Sequence, residues 1–193
     1  MILISIRPFA FKKLFALVAT LICLSTASCF AAPMFLPVAS TPYDQQMNRI
    51  RPALLSARNG NPSCEVSLND VNLWIEDLSD IPYGYHMDWK TPFEVESRQP
   101  ADCKGKAVAL YQRMQTNGAR NLRLEIGKRA PSSRMTHTWA VWETDRGSYV
   151  LDPTFYSTAC RAEQEGERSY VPLYAYEGNK KFRAESSTRY ATN

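Results

Sequence analysis

The feature that most constrains the fold is a change in hydrophobic periodicity near Gly118. Before this glycine, apolar residues recur at helical spacing, as in Val71, Ile75 and Leu78. After it they alternate, as in the segment 121–129, "NLRLEIGKR". Helical segments followed by a run of strands predict an α+β domain with an antiparallel sheet.

Individual elements follow from the same patterns. We expect a helix over 68–79 capped by Ser67 or Asn69, and a short helix that begins after Thr91-Pro92. A longer helix begins at Cys103, behind Asp102 as its N-cap, and stops at "TNG". Strands are predicted in 121–129, 136–143, 148–154 and 170–178. The proline-rich residues 32–62 are predicted to be an irregular lead-in with a short helix across 43–50.

The first 31 residues have the three-part pattern of a secretory signal peptide. Basic residues precede an apolar run, Leu14–Leu24, and small residues follow it. An uncleaved anchor is the alternative; a lipoprotein signal at Cys29 is disfavoured because Thr26 stands where an aliphatic residue is usual. We expect a periplasmic or secreted protein with no stable membrane insertion after cleavage.

The charge that remains after cleavage is small. The formal net charge is +4 and the leader carries three basic residues and no acidic one, so the remainder carries +1. Such a chain lacks the basic footprint of a nucleic-acid-binding protein.

Three cysteines lie beyond the leader: Cys64, Cys103 and Cys160. In an oxidising compartment an odd number leaves at least one thiol unpaired. We predict a disulfide between Cys64 and Cys160 with Cys103 free, and three reduced thiols are the alternative. No C-x-x-C occurs and the chain has only two histidines, so no metal site is predicted.

Cys103, His137 and Asp152 form a candidate catalytic set. A cysteine at a helix N-terminus meets unpaired N–H groups and the positive end of the helix dipole, and both favour the thiolate. In a hairpin with a four-residue loop His137 faces Asp152 directly; with a two-residue turn at Asp145-Arg146 the two are diagonal neighbours. Both registers put them on one face. Taken singly, each of the three residues also has an ordinary packing or capping role.

Four segments together resemble the bacterial transglutaminase-like cysteine proteinases, the LapG-type periplasmic proteases. The similarity spans roughly 64–183, and its most specific part is a Trp-x-Thr-Pro segment followed by Asp-Cys. The segments are "VNLWIEDLSDIPYG", "DWKTPFEVESRQPADCKGKAVALYQRM", "HTWAVWETDRGSYVLD" and "VPLYAYEGNKKFR".

The resemblance implies a papain-like, transglutaminase-like fold over 63–185, with 186–193 as a tail. It implies Cys103 as nucleophile, His137 as general acid and base, and Asp152 as the residue that orients the histidine. The Cys103 backbone N–H and the side chain of Gln99 are the candidate oxyanion donors. The implied partner is a protein or peptide substrate, with a cell-surface protein as one candidate.

One part of the family pattern is altered. LapG-type proteases bind calcium through acidic residues that flank and follow the cysteine, whereas Lys104 and Gly105 follow Cys103 here. A single carboxylate beside a lysine is a poor site for calcium, so we predict a protein that needs no calcium.

The sequence therefore predicts a cysteine protease that works through a thioester. Two alternatives stay open at this point. One is acyl transfer of the transglutaminase type, and the other is a non-catalytic binding module that keeps the fold.

Overall fold

Residues 33–56, 65–165 and 169–185 are described here from a computed structural model. They form helices and an antiparallel sheet, which confirms the predicted α+β class. The elements, in chain order, are β1 (Phe35–Pro37), α1 (Asp44–Leu54), α2 (Leu68–Ser79), α3 (Pro92–Glu96), α4 (Cys103–Thr116), β2 (Leu122–Lys128), β3 (His137–Thr144), β4 (Gly147–Leu151), β5 (Cys160–Arg161), β6 (Val171–Glu177) and β7 (Lys180–Ala184).

The strands form one sheet in the order β1-β7-β6-β2-β3-β4-β5, and every neighbouring pair is antiparallel. Strands β2, β3 and β6 therefore lie in the interior, where each pairs on both sides. The edge strands β1 and β5 are only three and two residues long. Short edges leave few unpaired backbone groups exposed to other chains.

Local sequence explains where the helices begin. Ser67 and Asp70 make a capping box at α2, and Thr91 and Glu94 make another at α3. Asp102 caps α4 by accepting a hydrogen bond from a backbone N–H in its first turn. Capping satisfies N–H groups that have no partner inside the helix.

Helix α4 is the centre of the domain. It packs against β2 and β3 on one side and against α1, α2 and α3 on the others. Its apolar residues are buried almost all round, including Ala107, Leu110 and Met114. A helix that is enclosed on all sides holds its first residue, Cys103, at a fixed place next to the sheet.

The sheet buries both of its faces. Residues such as Leu124 and Leu151 pack towards the helices in the main core. A second, smaller cluster consists of Trp139, Val141, Val150 and Tyr170. Trp139, Val141 and Val150 alternate with main-core residues along β3 and β4, as expected for a strand.

The segment predicted to be irregular contains more regular structure than expected. Strand β1 pairs with β7, and α1 extends four residues past the predicted helix end at Ile50. The prolines were misleading because Pro52 lies in the last turn of α1, where burial of Met47, Ala53 and Leu54 outweighs its missing N–H.

Strands β5 and β7 were not predicted. The sequence of β7, "KKFRA", lacks apolar alternation, and β5 has two residues, so pairing with a neighbouring strand defines both. The predicted signal peptide, Cys64 and the tail 186–193 lie outside the described residues. Among the described helices, none has the length and apolarity needed to cross a membrane.

Candidate active site

Cys103 is the first residue of α4, and 9% of its surface is exposed. The residue before it, Asp102, is the helix N-cap and is almost fully buried, at 1% exposure. Asp102 Oδ1 accepts a hydrogen bond from the Gly105 N–H at 3.2 Å. This cap places the thiol at the positive end of the helix dipole, as the sequence predicted.

The other oxygen of Asp102 binds two further groups. Oδ2 accepts a hydrogen bond from the His86 N–H at 3.1 Å and forms an ion pair with Lys104 Nζ. Lys104 Nζ also donates to the His86 carbonyl oxygen at 3.0 Å. The loop around His86 is thereby fastened to the first turn of α4.

His137 and Asp152 meet at the end of the β3–β4 hairpin. Nε2 of His137 lies 2.7 Å from Oδ2 of Asp152, and both side chains are buried. Thr144 pairs with Gly147, so the turn has two residues and His137 and Asp152 are diagonal neighbours. Of the two predicted registers, the one with a four-residue loop is wrong, because the strands stay paired up to the turn.

Asp152 is held by more than the histidine. Its carboxylate also accepts hydrogen bonds from the Tyr170 hydroxyl at 2.7 Å and from the Thr154 N–H at 3.0 Å. The side chain is fully buried. A buried carboxylate with three donors is fixed in orientation, and it fixes the imidazole in turn.

Tyr170 was missed by the sequence analysis, which placed it only at the start of a strand. It adopts a left-handed backbone conformation, with φ of 53°, and its N–H donates to the Arg129 carbonyl at 2.9 Å. Burial and the charge of Asp152 raise the pKa of its hydroxyl, so Tyr170 stays a donor at neutral pH. A tyrosine directly before a strand carries no sequence signal for this contact.

The electrostatics of His137 favour its protonated form. Burial lowers the pKa of His137, but the hydrogen bonds to Asp152 and Cys103 and the negative charges of both groups raise it from 6.5 to about 9. At neutral pH the imidazole of His137 can therefore carry a proton.

Aromatic rings enclose the imidazole. Trp139 stacks on it with a centroid distance of 6.0 Å, and Phe155 packs edge-on at 5.2 Å. The Arg129 guanidinium lies over Phe155, 4.1 Å from the ring centroid. Since Phe155 is half exposed, it forms the boundary between the buried histidine and solvent.

A glycine opposite the histidine allows the strands to approach closely. Gly127 pairs with His137 across β2 and β3, next to a register shift between β2 and β6. A Cβ at Gly127 would lie 2.1 Å from the Val171 carbonyl oxygen. Any other residue would push β6 away, and irregularities of this kind are common beside functional sites.

Lys106 adds a buried positive charge one turn into α4. Its Nζ donates to the Ser79 carbonyl oxygen at 3.2 Å. Burial lowers the pKa of Lys106, while the charges of Asp152 and Asp80 oppose that shift. The sequence analysis assigned this lysine no role, because helical periodicity does not reveal a buried cation whose hydrogen-bond partner lies on another helix.

The described contacts give no support to two further predictions, the oxyanion role of Gln99 and the disulfide between Cys64 and Cys160. Gln99 is exposed and its role as an oxyanion donor stays a prediction. Cys160 carries a free thiol, and Cys64 lies outside the described residues, so the predicted disulfide is not supported. Burial, with the hydrogen bond and charge of Glu165, raises the pKa of Cys160 to about 11.

No protein-family model matches the sequence, and a search of the curated proteins gives no match. Solved structures do match. LapG from Legionella pneumophila, treated with EGTA, has a TM-score of 0.53 at 14% identity, covering 77% of this chain and 81% of LapG. Calcium-bound LapG gives 0.51 at 15% identity, covering 77% and 86%. The resemblance predicted from sequence is thus confirmed at the level of the fold: this chain has a LapG-like fold.

Proposed function

We propose that this protein is an exported cysteine protease that cleaves a peptide bond in a protein substrate. Cys103 is the nucleophile, His137 the general acid and base, and Asp152 the residue that orients the histidine. The observation that carries this proposal is the buried His137–Asp152 hydrogen bond in a domain whose central helix begins at the buried thiol of Cys103. The LapG-like fold supports the same reading.

In the first half of the reaction the Cys103 thiolate attacks the carbonyl carbon of the scissile bond. The Cys103 backbone N–H lies in the first turn of α4, where helix geometry supplies no carbonyl partner, and it donates to the oxyanion that forms. Nε2 of His137 is held by Asp152, so Nδ1 passes its proton to the departing amine. The C–N bond breaks and a thioester to Cys103 remains.

In the second half water hydrolyses the thioester. His137, now neutral, takes a proton from the water molecule as the water oxygen attacks the thioester carbon. The C–S bond breaks, the new carboxylic acid leaves, and the thiolate–imidazolium pair is restored. Asp152 keeps its charge throughout, because its role is to hold and stabilise the imidazolium.

Detection of new peptide N-termini by mass spectrometry tests the proposal. The protein without residues 1–31 is incubated with a denatured proteome and with a peptide library. We expect specific cleavage that is lost in Cys103→Ser and kept in Cys160→Ser, the matched control. Cleavage that persists in Cys103→Ser would assign the activity to another group.

A labelled primary amine in the same reaction separates hydrolysis from acyl transfer. Both reactions share the thioester, and the nucleophile that enters the cleft decides between them. Incorporation of the amine without new N-termini would favour a transferase. Neither product, together with equal alkylation of Cys103 in wild type and His137→Gln, would favour the non-catalytic binding module.

A further inference from the structure

A lysine side chain lies at the start of the nucleophile helix in a place that suits a cation. The Lys104 ammonium contacts the Asp102 carboxylate and the His86 carbonyl oxygen, and its side chain is only 15% exposed. We call Lys104, Asp102 and the His86 backbone the lysine clasp. It joins two segments that lie 18 residues apart in the chain.

Calcium does not fit at this point. Calcium takes about six to eight oxygen ligands at roughly 2.3–2.6 Å, and the two oxygens nearest Lys104 are already bound to its ammonium. A Cβ at Gly105 would lie 3.1 Å from Val95 Cγ2 and 3.3 Å from Lys90 Cβ, so a carboxylate side chain there would be crowded. Within the described residues, no cluster of three metal-ligating side chains is present.

The charge balance next to the thiol explains what the ammonium does. Asp102 directly precedes Cys103, and an uncompensated carboxylate there would disfavour a thiolate through like-charge repulsion. The side chain of Asp102 is buried, so solvent screens its charge little. Lys104 compensates the carboxylate from inside the protein and leaves the helix dipole and His137 to stabilise the thiolate.

The clasp also contacts an aromatic side chain of the 83–88 loop. The Lys104 ammonium lies 4.9 Å from the centroid of the Tyr85 ring. Tyr83 is bridged to Ala101 just before the helix. Burial and the charges of Cys103 and Asp102 raise the pKa of Tyr83. Both tyrosines are mostly exposed.

We propose that Lys104 is a built-in cation that positions Cys103 and the 83–88 loop, so that the reactivity of the thiol does not depend on a divalent metal ion. Lys104 is a positioning residue, since it acts through Asp102 and the loop. The proposal rests on Cys103 being the nucleophile in the proposed function. LapG, a structural neighbour, has been solved with calcium bound, and the proposal for Lys104 concerns this chain alone.

Two readouts that need no substrate test this proposal: the rate of iodoacetamide alkylation at Cys103, located by mass spectrometry, and the melting temperature. In Lys104→Met we expect alkylation at neutral pH to slow by about 10-fold and melting to fall by roughly 5–10 °C, since a buried carboxylate loses its partner. Lys104→Arg keeps the charge and should stay within about 3-fold of wild type. The matched control Lys90→Met should behave as wild type.

Calcium and EGTA are added to each protein. For the wild type we expect the same rate and melting temperature in millimolar calcium and in EGTA. The proposal is overturned if Lys104→Met matches wild type in both readouts, or if calcium raises the rate or melting temperature of the wild type. His137→Gln is measured in parallel: an unchanged alkylation rate there would overturn the proposed function, whereas the melting temperatures would still test the clasp.

Discussion

The two halves of the candidate site are held by different physical means. On the helix side, the buried carboxylate of Asp102 is compensated by Lys104, whose side chain is 15% exposed. On the strand side, His137, Asp152 and Tyr170 are buried together and enclosed by rings. Water can replace a lost partner on the helix side more readily than on the strand side. Removing a charged group on the strand side should therefore cost more stability, and show a stronger pH dependence, than removing one on the helix side.

The largest effect is expected for Asp152→Asn. The variant removes the charge that stabilises the imidazolium while keeping the shape and the contact with the Thr154 N–H. Loss of one member of a buried charged network should lower the free energy of unfolding by about 3 kcal/mol. Alkylation of Cys103 should slow by at least about 10-fold, because His137 is then less protonated at neutral pH. Denaturant titration and timed alkylation measure the two effects.

Asp145→Asn is the control for Asp152→Asn. Asp145 lies exposed in the turn of the same hairpin, so the same chemical change there should alter unfolding by less than about 0.5 kcal/mol. Equal effects of the two substitutions would show that the buried network on the strand side adds no more to the unfolding free energy than an exposed carboxylate does.

The next effect is the pH dependence of stability that His137 contributes. Its pKa is raised on folding, from 6.5 to about 9, so its contribution is fully present below pH 6.5 and is lost as the pH rises through about 9. The difference in unfolding free energy between wild type and His137→Gln should fall by on the order of 2 kcal/mol across that window. Urea titrations at several pH values measure this difference. A difference that is flat with pH would mean that folding does not raise the pKa of His137, and a difference that grows with pH would mean that the folded state holds the imidazole neutral.

Much of the fold could be predicted from the sequence because local signals were strong. Helix α2 has the predicted bounds, and α3 and α4 begin where their capping residues place them. The alternating strands were visible for the same reason. Strands β5 and β7 could not be predicted, because pairing with a neighbouring strand, and not an alternating apolar pattern, defines them. The end of α1 was missed because Pro52 indicated an earlier stop.

The site could be predicted only in part. His137 and Asp152 share a hairpin, so period and turn length limited them to one face and two registers. Tyr170 reaches Asp152 from a different strand boundary, and Lys104 and His86 meet across a loop. Such contacts depend on tertiary placement, which periodicity does not encode. Tyr170 and the His86 backbone support the site from outside the elements that carry its candidate catalytic groups, and the sequence analysis missed both contacts.

A smaller loss is expected for Tyr170→Phe. The variant keeps the ring, which packs on Trp139 at a centroid distance of 5.1 Å, and removes one of the hydrogen bonds to Asp152. We expect a loss of about 1–2 kcal/mol in unfolding free energy. Tyr149→Phe is the matched control, since Tyr149 packs in the main core on the opposite face of the sheet. If both substitutions cost the same, the loss would reflect tyrosine burial in general and not the contact with Asp152.

The smallest effect is expected for Lys90→Met, beside the helix side of the site. Lys90 Nζ donates to the Pro100 carbonyl oxygen at 2.7 Å, but an imidazole nitrogen of His86 lies 3.0 Å from the same oxygen. The carbonyl keeps a partner when the lysine is removed, and both contacts are exposed to solvent. Unfolding free energy should therefore change by less than about 0.5 kcal/mol. Denaturant titration of Lys90→Met in parallel with Lys104→Met measures this change in unfolding free energy. If Lys90→Met lost as much as Lys104→Met, positive charge near the loop, and not the clasp itself, would stabilise the helix side.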